Sequence, residues 1–279
     1  MAANFAVLQL SGCAGCEVSL LNAHEWIGRR RLDYMPLVLS SEALPEVKTL
    51  LVSGAVRTEE DLYRLRKAAS RAQEVVAVGT CAISGGVANL GDRDDVRALF
   101  FSEMERRHVP RILPKLHPVD AVVSPTLYLP GCPPTPELFM AALFDREGFE
   151  ASKTVCIECG RTKTRDRPRR LQGFQQAEVD PDICLINQGY LCVGSSTRGG
   201  CRAPCTRAGH PCVGCRGPAD GFIARSSDEW FTAIQKVFAR MTDIPADDIA
   251  RAVRSPQLAL FVFQFADYAA TPRDVRRVL

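Results

Sequence analysis

The chain has 279 residues, which at roughly 150 residues per domain predicts about two domains, each able to bury a core. Hydrophobic residues make up 46% of it and charged residues 24%, and no apolar run approaches the ~18 residues that a membrane span needs. The 35 basic and 32 acidic residues leave a formal net charge of +3, too even a balance for wholesale phosphate binding. Nucleic acid as a partner and a direct membrane span are therefore not expected.

Short apolar runs alternate with amphipathic stretches in the first half, which is typical of a parallel sheet with helices on its faces. The predicted strands are Phe5–Leu10, Tyr34–Leu39, Val47–Val52, Glu74–Val78 and Ala121–Leu129. The predicted helices are Glu17–Ile27, Thr58–Ala72, Asp94–Arg107 and Pro136–Phe144. Thr58 and Asp61 have the spacing of a capping box. The sequence thus predicts an α/β domain over residues 1–150.

The second half differs in composition, because eight of the twelve cysteines lie between residues 156 and 215 among Gly, Pro and Arg. Regular structure is too sparse there to build a core unaided, and bound metal commonly contributes the missing folding energy in such segments. Helical patterns return at 227–241 and 245–253, and the apolar run from Leu258 fits a buried helix or a strand. We expect a cluster-binding domain of little regular structure over 151–279, ending in helices.

The first four cysteines follow predicted strands. Cys13 and Cys16 come after the first strand, Cys81 after the fourth and Cys132 after the fifth. Because the carboxyl ends of parallel strands meet at one edge of a sheet, these thiols are expected at one rim. The N-terminus lacks the features of a signal peptide, so we also expect a cytoplasmic protein whose thiols stay reduced.

Three kinds of cysteine chemistry compete. Disulfides fit poorly, because nothing indicates export. Structural zinc, which would make the chain a zinc-stabilised scaffold protein, uses local CxxC knuckles, whereas the first set joins one pair to two distant single cysteines. An iron-sulfur cluster ligated by four thiolates suits the first cysteine set better, because the sulfur ligands can approach such a cluster from several directions.

Five motifs occur in order: SGCAGCEVSLL, VVAVGTCAISGG, LYLPGCPPTPEL, CLINQGYLCVGSSTRGGC and AGHPCVGC. Together they resemble the small, electron-transferring subunit of nickel-iron hydrogenases, most closely the cytoplasmic methyl-viologen-reducing type associated with heterodisulfide reductase. The resemblance implies a flavodoxin-like first domain. The nicotinamide-linked sulfhydrogenase type is the nearest alternative. An iron-sulfur subunit of a respiratory complex is a weaker one, since it would need only the first cysteine set.

The resemblance implies three 4Fe-4S clusters. It assigns to the proximal cluster Cys13, Cys16, Cys81 and Cys132. It assigns to the distal cluster Cys156, Cys159, Cys184 and Cys192. It assigns to the medial cluster Cys201, Cys205, Cys212 and Cys215. Exported relatives have histidine at the position of Cys156. They have proline at the position of Cys205, and their medial cluster has three irons. A fourth thiolate in this chain implies a medial cluster with four irons.

The same resemblance implies that dihydrogen is split at a nickel-iron centre in a large partner subunit. This chain would carry the electrons to a further acceptor subunit, either heterodisulfide reductase-linked or flavin-containing. No cysteine is left over for nickel, and GxGxxG is absent, so no catalytic residue and no dinucleotide or flavin site is expected here.

Other polar residues have plainer interpretations. Among the histidines, His210 lies beside a predicted ligand but is expected to be an outer donor or a packing residue. Glu17 and Glu25 could border a proton path, although a solvated helix face is the stronger expectation. The basic run from Arg161 to Arg170 could dock an acidic acceptor, clamp the large subunit or form an ordinary surface loop.

Overall fold

A five-stranded parallel sheet organises the first half of the computed structural model. Its strands are β1 (Asn4–Gln9), β2 (Arg31–Tyr34), β3 (Val47–Ser53), β5 (Ala72–Val78) and β7 (Leu127–Leu129). They lie in the order β2-β1-β3-β5-β7, with every pair parallel. Counted among themselves these strands run 2-1-3-4-5, the flavodoxin-like order. The predicted α/β, flavodoxin-like sheet is confirmed.

The register of the sheet aligns the carboxyl ends of its strands. Gln9 pairs with Ser53, Ser53 pairs with Val78, and Val78 pairs with Leu129. The loops that leave β1, β5 and β7 therefore start from one line across the sheet. These are the loops that lead to the first four cysteines.

The structure describes residues 4–39, 43–101, 110–149, 151–173, 178–223, 227–254 and 277–279. It divides the chain into two units, one of Met1–Phe149 with Arg277–Leu279 and one of Glu150–Arg276. The sequence-based division puts the last three residues in the second domain, whereas Val278 forms a parallel bridge with Tyr128 of β7. Within these ranges no helix is long and apolar enough to cross a membrane.

Several predicted helices are confirmed. The helix Pro136–Phe144 has the predicted bounds, and Ser227–Met241 and Ala246–Arg254 lie close to theirs. The helix Glu59–Ala69 begins with the predicted capping box, in which Asp61 N donates to Thr58 Oγ1 over 3.1 Å and Thr58 N donates to Asp61 Oδ2 over 3.0 Å. The apolar run from Leu258, His108 and the end of the predicted helix Asp94–Arg107 lie outside the described residues. The part of that helix that is described consists of an α-turn at Asp94–Val96 and a π-turn at Arg97–Phe101.

The predicted strand Tyr34–Leu39 is wrong, since β2 ends where that prediction begins. Pro36 has no N–H to donate to a sheet. The N–H groups of Val38 and Leu39 instead donate to the carbonyl of Met35 over 3.0 and 2.9 Å, which closes a turn.

The predicted strand Ala121–Leu129 is too long. Its first residues form a short helical turn, in which the amides of Val122 and Val123 donate to the Val119 carbonyl, and only Leu127–Leu129 joins the sheet. The predicted helix Glu17–Ile27 also divides, into Gly15–Asn22 and a turn at His24–Trp26. The indole of Trp26 donates to the Leu20 carbonyl over 3.1 Å and so satisfies an acceptor at the helix end.

A two-stranded antiparallel ribbon was not predicted. It pairs β4 (Val56–Thr58) with β6 (Ile112–His117). Pro114 argues against a central strand, but a two-stranded ribbon leaves each strand one free edge on which a proline is tolerated.

The core of the first unit lies between this sheet and two helices. Leu20 of the helix Gly15–Asn22 and Leu138 of Pro136–Phe144 are fully buried against β1 and β3. Phe5 of β1 meets Trp26 edge to face, with 5.4 Å between ring centroids. The helix that begins beside Cys13 is thereby fixed to the sheet.

Candidate metal centres

Four cysteines meet at the carboxyl edge of the sheet. Cys13 lies in the loop after β1, and Cys16 is in the first turn of the helix Gly15–Asn22. Cys81 lies in the short helix Gly79–Ser84 that follows β5, so it is helical and not in the predicted loop. Cys132 lies in the loop after β7. The sequence prediction that these four positions share one rim is confirmed.

Hydrogen bonds tie the three cysteine-bearing segments together. Thr80, beside Cys81, donates its amide and its hydroxyl to the Gly131 carbonyl over 2.9 and 3.0 Å. Ser19, one turn after Cys16, donates its hydroxyl to the Pro134 carbonyl over 2.6 Å. Each segment is therefore anchored to the loop that carries Cys132.

Two glycines, which have no side chain, leave space for the sulfur atoms of neighbouring cysteines. A Cβ on Gly79, whose φ is +81°, would lie 2.5 Å from Cys16 Sγ. A Cβ on Gly86, whose φ is +51°, would lie 2.9 Å from Cys81 Sγ. Side chains at these positions would displace the thiols, so both glycines are part of the cradle.

The four thiols also lie within electrostatic reach of one another. Burial raises the pKa of Cys16 well above its usual value, and Glu17, Cys81, Cys132 and Cys13 raise it further. Four neighbouring thiolates need a positive group between them. Sulfur donors that converge from three segments suit an iron-sulfur cluster, whose irons are each held by one thiolate.

Glu17 departs from its predicted position on a solvated helix face. It is 2% exposed, because its helix turns this side toward the sheet, and the hydroxyl of Ser53 donates to Glu17 Oε1. Glu25 is exposed, in agreement with the predicted solvated helix face. Ser53 was missed, although its place at the end of a buried strand is a usable signal.

A second cysteine set lies in the second unit. Cys156 and Cys159 are on the short helix Val155–Cys159. Burial raises the pKa of Cys156 to about 11, Cys184 and Cys159 raise it, and Lys163 lowers it. Burial raises the pKa of Cys192 to about 12, with Cys156 and Cys184 adding to the effect and the amides of Gly194 and Cys212 opposing it.

A third set consists of two pairs. Burial raises the pKa of Cys201, to which the neighbouring Cys205 adds, and burial raises that of Cys212 well above its usual value, to which Cys192 and Cys215 add. All twelve cysteines are free thiols. In the described parts of the chain, no three His, Cys, Asp or Glu side chains lie close enough to hold a single metal ion.

Two charged residues beside the third set were missed by sequence reasoning. Glu158 lies between Cys156 and Cys159 in sequence, and its Oε2 is 3.9 Å from Cys201 Sγ. Arg216 directly follows Cys215 and is 2% exposed. Burial lowers the pKa of Arg216 to about 10, Arg198 lowers it further, and Cys201, Cys215 and Glu158 raise it. A charge next to a CxxC pair was the available signal in both cases.

The remaining predicted residues have ordinary surroundings. His210 donates its amide to the Cys205 carbonyl over 2.8 Å, and its Nδ1 lies 2.8 Å from the Pro211 carbonyl. Arg161 and Arg167 of the basic run bind backbone carbonyls within the second unit. His24 is exposed and His117 belongs to β6.

Comparisons with known proteins agree with this geometry. A family model described as NADH ubiquinone oxidoreductase, 20 Kd subunit, matches residues 13–145. A subunit of the vhu F420-non-reducing hydrogenase of Methanococcus voltae is 34% identical over 245 residues, covering 79% of this chain and 84% of the relative. Sulfhydrogenase 2 subunit delta of Pyrococcus furiosus is 27% identical, covering 89% and 97%. An actinobacterial-type NiFe-hydrogenase from Ralstonia eutropha shares the fold, with a TM-score of 0.52 at 16% identity, covering 91% and 87%.

A flavodoxin-like sheet with cysteines at its carboxyl edge, followed by a cysteine-rich unit, defines the small, electron-transferring iron-sulfur subunit of nickel-iron hydrogenases. Such subunits pair with a large subunit in an oxidoreductase that acts on dihydrogen. The chain belongs to the family of F420-non-reducing hydrogenase small subunits, the methyl-viologen-reducing type. The predicted family is confirmed, and the match to the Methanococcus voltae relative covers more of the chain than the first unit alone.

Proposed function

We propose that this chain relays electrons one at a time through three 4Fe-4S clusters. The first would be held by Cys13, Cys16, Cys81 and Cys132. The second would be held by Cys156, Cys159, Cys184 and Cys192. The third would be held by Cys201, Cys205, Cys212 and Cys215. The observation that carries the proposal is the convergence of the first four thiols at the aligned strand ends, with glycines clearing the space around their sulfur atoms.

Bound clusters supply one-electron redox chemistry, and the chain supplies their spacing, insulation and potential. Dihydrogen oxidation in the large subunit yields two protons and two electrons, and the electrons leave through this chain. The rim with Cys13 and Cys16 is the side we assign to the large subunit, because electrons enter there. The thiols of the second and third sets lie in the second unit, between that entry and the acceptor in the proposed relay.

We assign the acceptor to a further subunit, heterodisulfide reductase-linked or flavin-containing, and the complex to the cytoplasm. The F420-non-reducing hydrogenase relatives match the hydrogenase type whose resemblance implies the first acceptor, and the sulfhydrogenase relative matches the type whose resemblance implies the second. The relative with the higher identity belongs to the first kind, which we therefore favour.

The test is hydrogen-dependent reduction of methyl viologen. The purified complex of this chain with its large subunit should reduce the dye under hydrogen. The chain alone should not, although dithionite should still reduce its clusters. Dye reduction under hydrogen by the nickel-free chain would contradict the division of work between the subunits.

A further inference from the structure

A buried arginine joins the two ends of the third cysteine set. The guanidinium of Arg216 donates from Nε over 3.1 Å and from Nη2 over 2.8 Å, both to the carbonyl of Gly199. Gly199 stands two residues before Cys201, and Arg216 directly follows Cys215. The hydrogen bonds therefore hold a positive charge between the segments that carry Cys201 and Cys215.

The charge of this group persists inside the protein. An arginine side chain stays protonated even when it is buried. Arg216 is 2% exposed, so water does not screen it, and a charge acts more strongly in such surroundings than at the surface.

A negative group lies on the other side of the same segment. Gly200 N donates to Glu158 Oε1, and a Cβ on Gly199 would lie 2.8 Å from that oxygen. The segment Gly199–Cys201 is thus held between a carboxylate and a guanidinium. Glu158 and Arg216 carry opposite charges beside the same thiol.

We propose that Arg216 sets the reduction potential of the cluster bound by Cys201, Cys205, Cys212 and Cys215, and that its charge raises it. Reduction adds one negative charge to a cluster, and a buried cation stabilises the more negative state. Net charge and burial are among the main determinants of iron-sulfur potentials. Arg216 is not a ligand of the cluster. Its positive charge makes the third cluster a better electron acceptor than the cluster would be with its four thiolates alone. The inference rests on the proposed three-cluster function.

The experiment is an anaerobic redox titration of the hydrogenase complex, followed by electron paramagnetic resonance. Arg216→Gln removes the charge and keeps an N–H donor for the Gly199 carbonyl. Arg216→Lys keeps the charge. Lys236→Gln is the matched control, because Lys236 is an exposed cation in the same unit. We expect one of the three midpoint potentials to fall in Arg216→Gln and all three to stay unchanged in Arg216→Lys and Lys236→Gln.

Iron analysis separates the possible failures. Full iron with three unchanged potentials in Arg216→Gln overturns the role of Arg216 and leaves the three-cluster proposal standing. An equal fall in Arg216→Gln and Arg216→Lys also overturns it, since the charge would then be irrelevant. Parent protein with fewer than three clusters contradicts the proposed function itself.

If the Arg216→Gln variant loses the cluster, the test is made with Glu158→Gln instead. This variant removes the opposite charge and keeps an oxygen that accepts from Gly200 N. One potential should then rise. An unchanged set of potentials in Glu158→Gln, beside a cluster-free Arg216→Gln, overturns the proposal.

Discussion

The amide of Cys212 donates to Cys192 Sγ over 3.3 Å, so one hydrogen bond joins the second and third cysteine sets. A second hydrogen bond joins the same two segments in the opposite direction, because Val193 N donates to the Cys212 carbonyl over 3.0 Å. Hydrogen bonds to sulfur help to set cluster potentials. This pair is a direct link between the two sets in the second unit, and in the proposed relay it lies between the second and third clusters.

Replacement of Cys205 tests whether it is the fourth ligand of the third cluster. Cys205→Pro should leave one corner without a thiolate, and that corner should lose its iron. We expect a new three-iron signal in electron paramagnetic resonance of the oxidised protein and a loss of about one iron in twelve, at four per cluster. Cys205→Ala should behave alike.

An unchanged spectrum with full iron in both variants would remove Cys205 from the ligand set. His210 would then be the first residue to examine, since its amide donates to the Cys205 carbonyl. The conservative variant Arg207→Lys in the same short helix should leave the spectrum unaltered.

Acid should speed the removal of iron by a chelator. Burial raises the pKa of Cys192 to about 12 and that of Cys156 to about 11 in the metal-free fold, so protons compete strongly with iron for these sulfur atoms. The rate of iron loss should rise as the pH falls from about 9 to about 6. Absorbance measured with chelator, against the same buffers without it, checks this; a rate that rises with pH would contradict it.

The Glu17 and Ser53 contact should contribute to the stability of the first unit. Ser53→Ala leaves the buried carboxyl without its hydroxyl donor, which should cost about 1–3 kcal/mol. Ser70→Ala is the control, because Ser70 is exposed and its hydroxyl donates to the Lys67 carbonyl. The urea midpoint should fall clearly in the first variant and barely in the second. Equal midpoints would show that the buried contact adds nothing.

Asp61 should matter more than the capping residue it partners. Its Oδ2 accepts from the amides of Arg57 and Thr58 over 3.0 Å each and from Ser11 Oγ over 2.8 Å. Thr58→Ala should cost about 1 kcal/mol, the usual loss for a helix cap. Asp61→Ala strands three donors and should lower the urea midpoint further. Glu60→Ala serves as the comparison, and a larger loss in Thr58→Ala than in Asp61→Ala would contradict this ranking.

The sequence predicts the sheet well wherever a strand is a continuous apolar run. Val47–Ser53 and Ala72–Val78 are central, buried on both sides and rich in branched residues, so periodicity and composition agree. The turn at Pro36 had a local signal in the proline, which has no N–H to donate to a sheet. The helix break before Trp26 depends on the indole donating to the Leu20 carbonyl, a side-chain choice that periodicity does not carry.

The site shows the same division. Motif spacing predicts which cysteines share the rim, because the strand order brings distant loops together. It does not predict that Glu17 is buried against Ser53, since that depends on how the helix Gly15–Asn22 is rotated on the sheet. Nor does it predict that Arg216 points inward to Gly199, because a charged residue in a Gly-rich segment is usually solvated.

Metal analysis of the separated chain tests the central claim most directly. Anaerobically purified protein, analysed for iron, sulfide and zinc and examined by Mössbauer spectroscopy, should contain about twelve irons and about twelve sulfides, four of each per cluster. It should be brown and free of stoichiometric zinc. About four irons would mean one cluster in place of the three proposed, and stoichiometric zinc in a colourless protein would contradict the electron relay altogether.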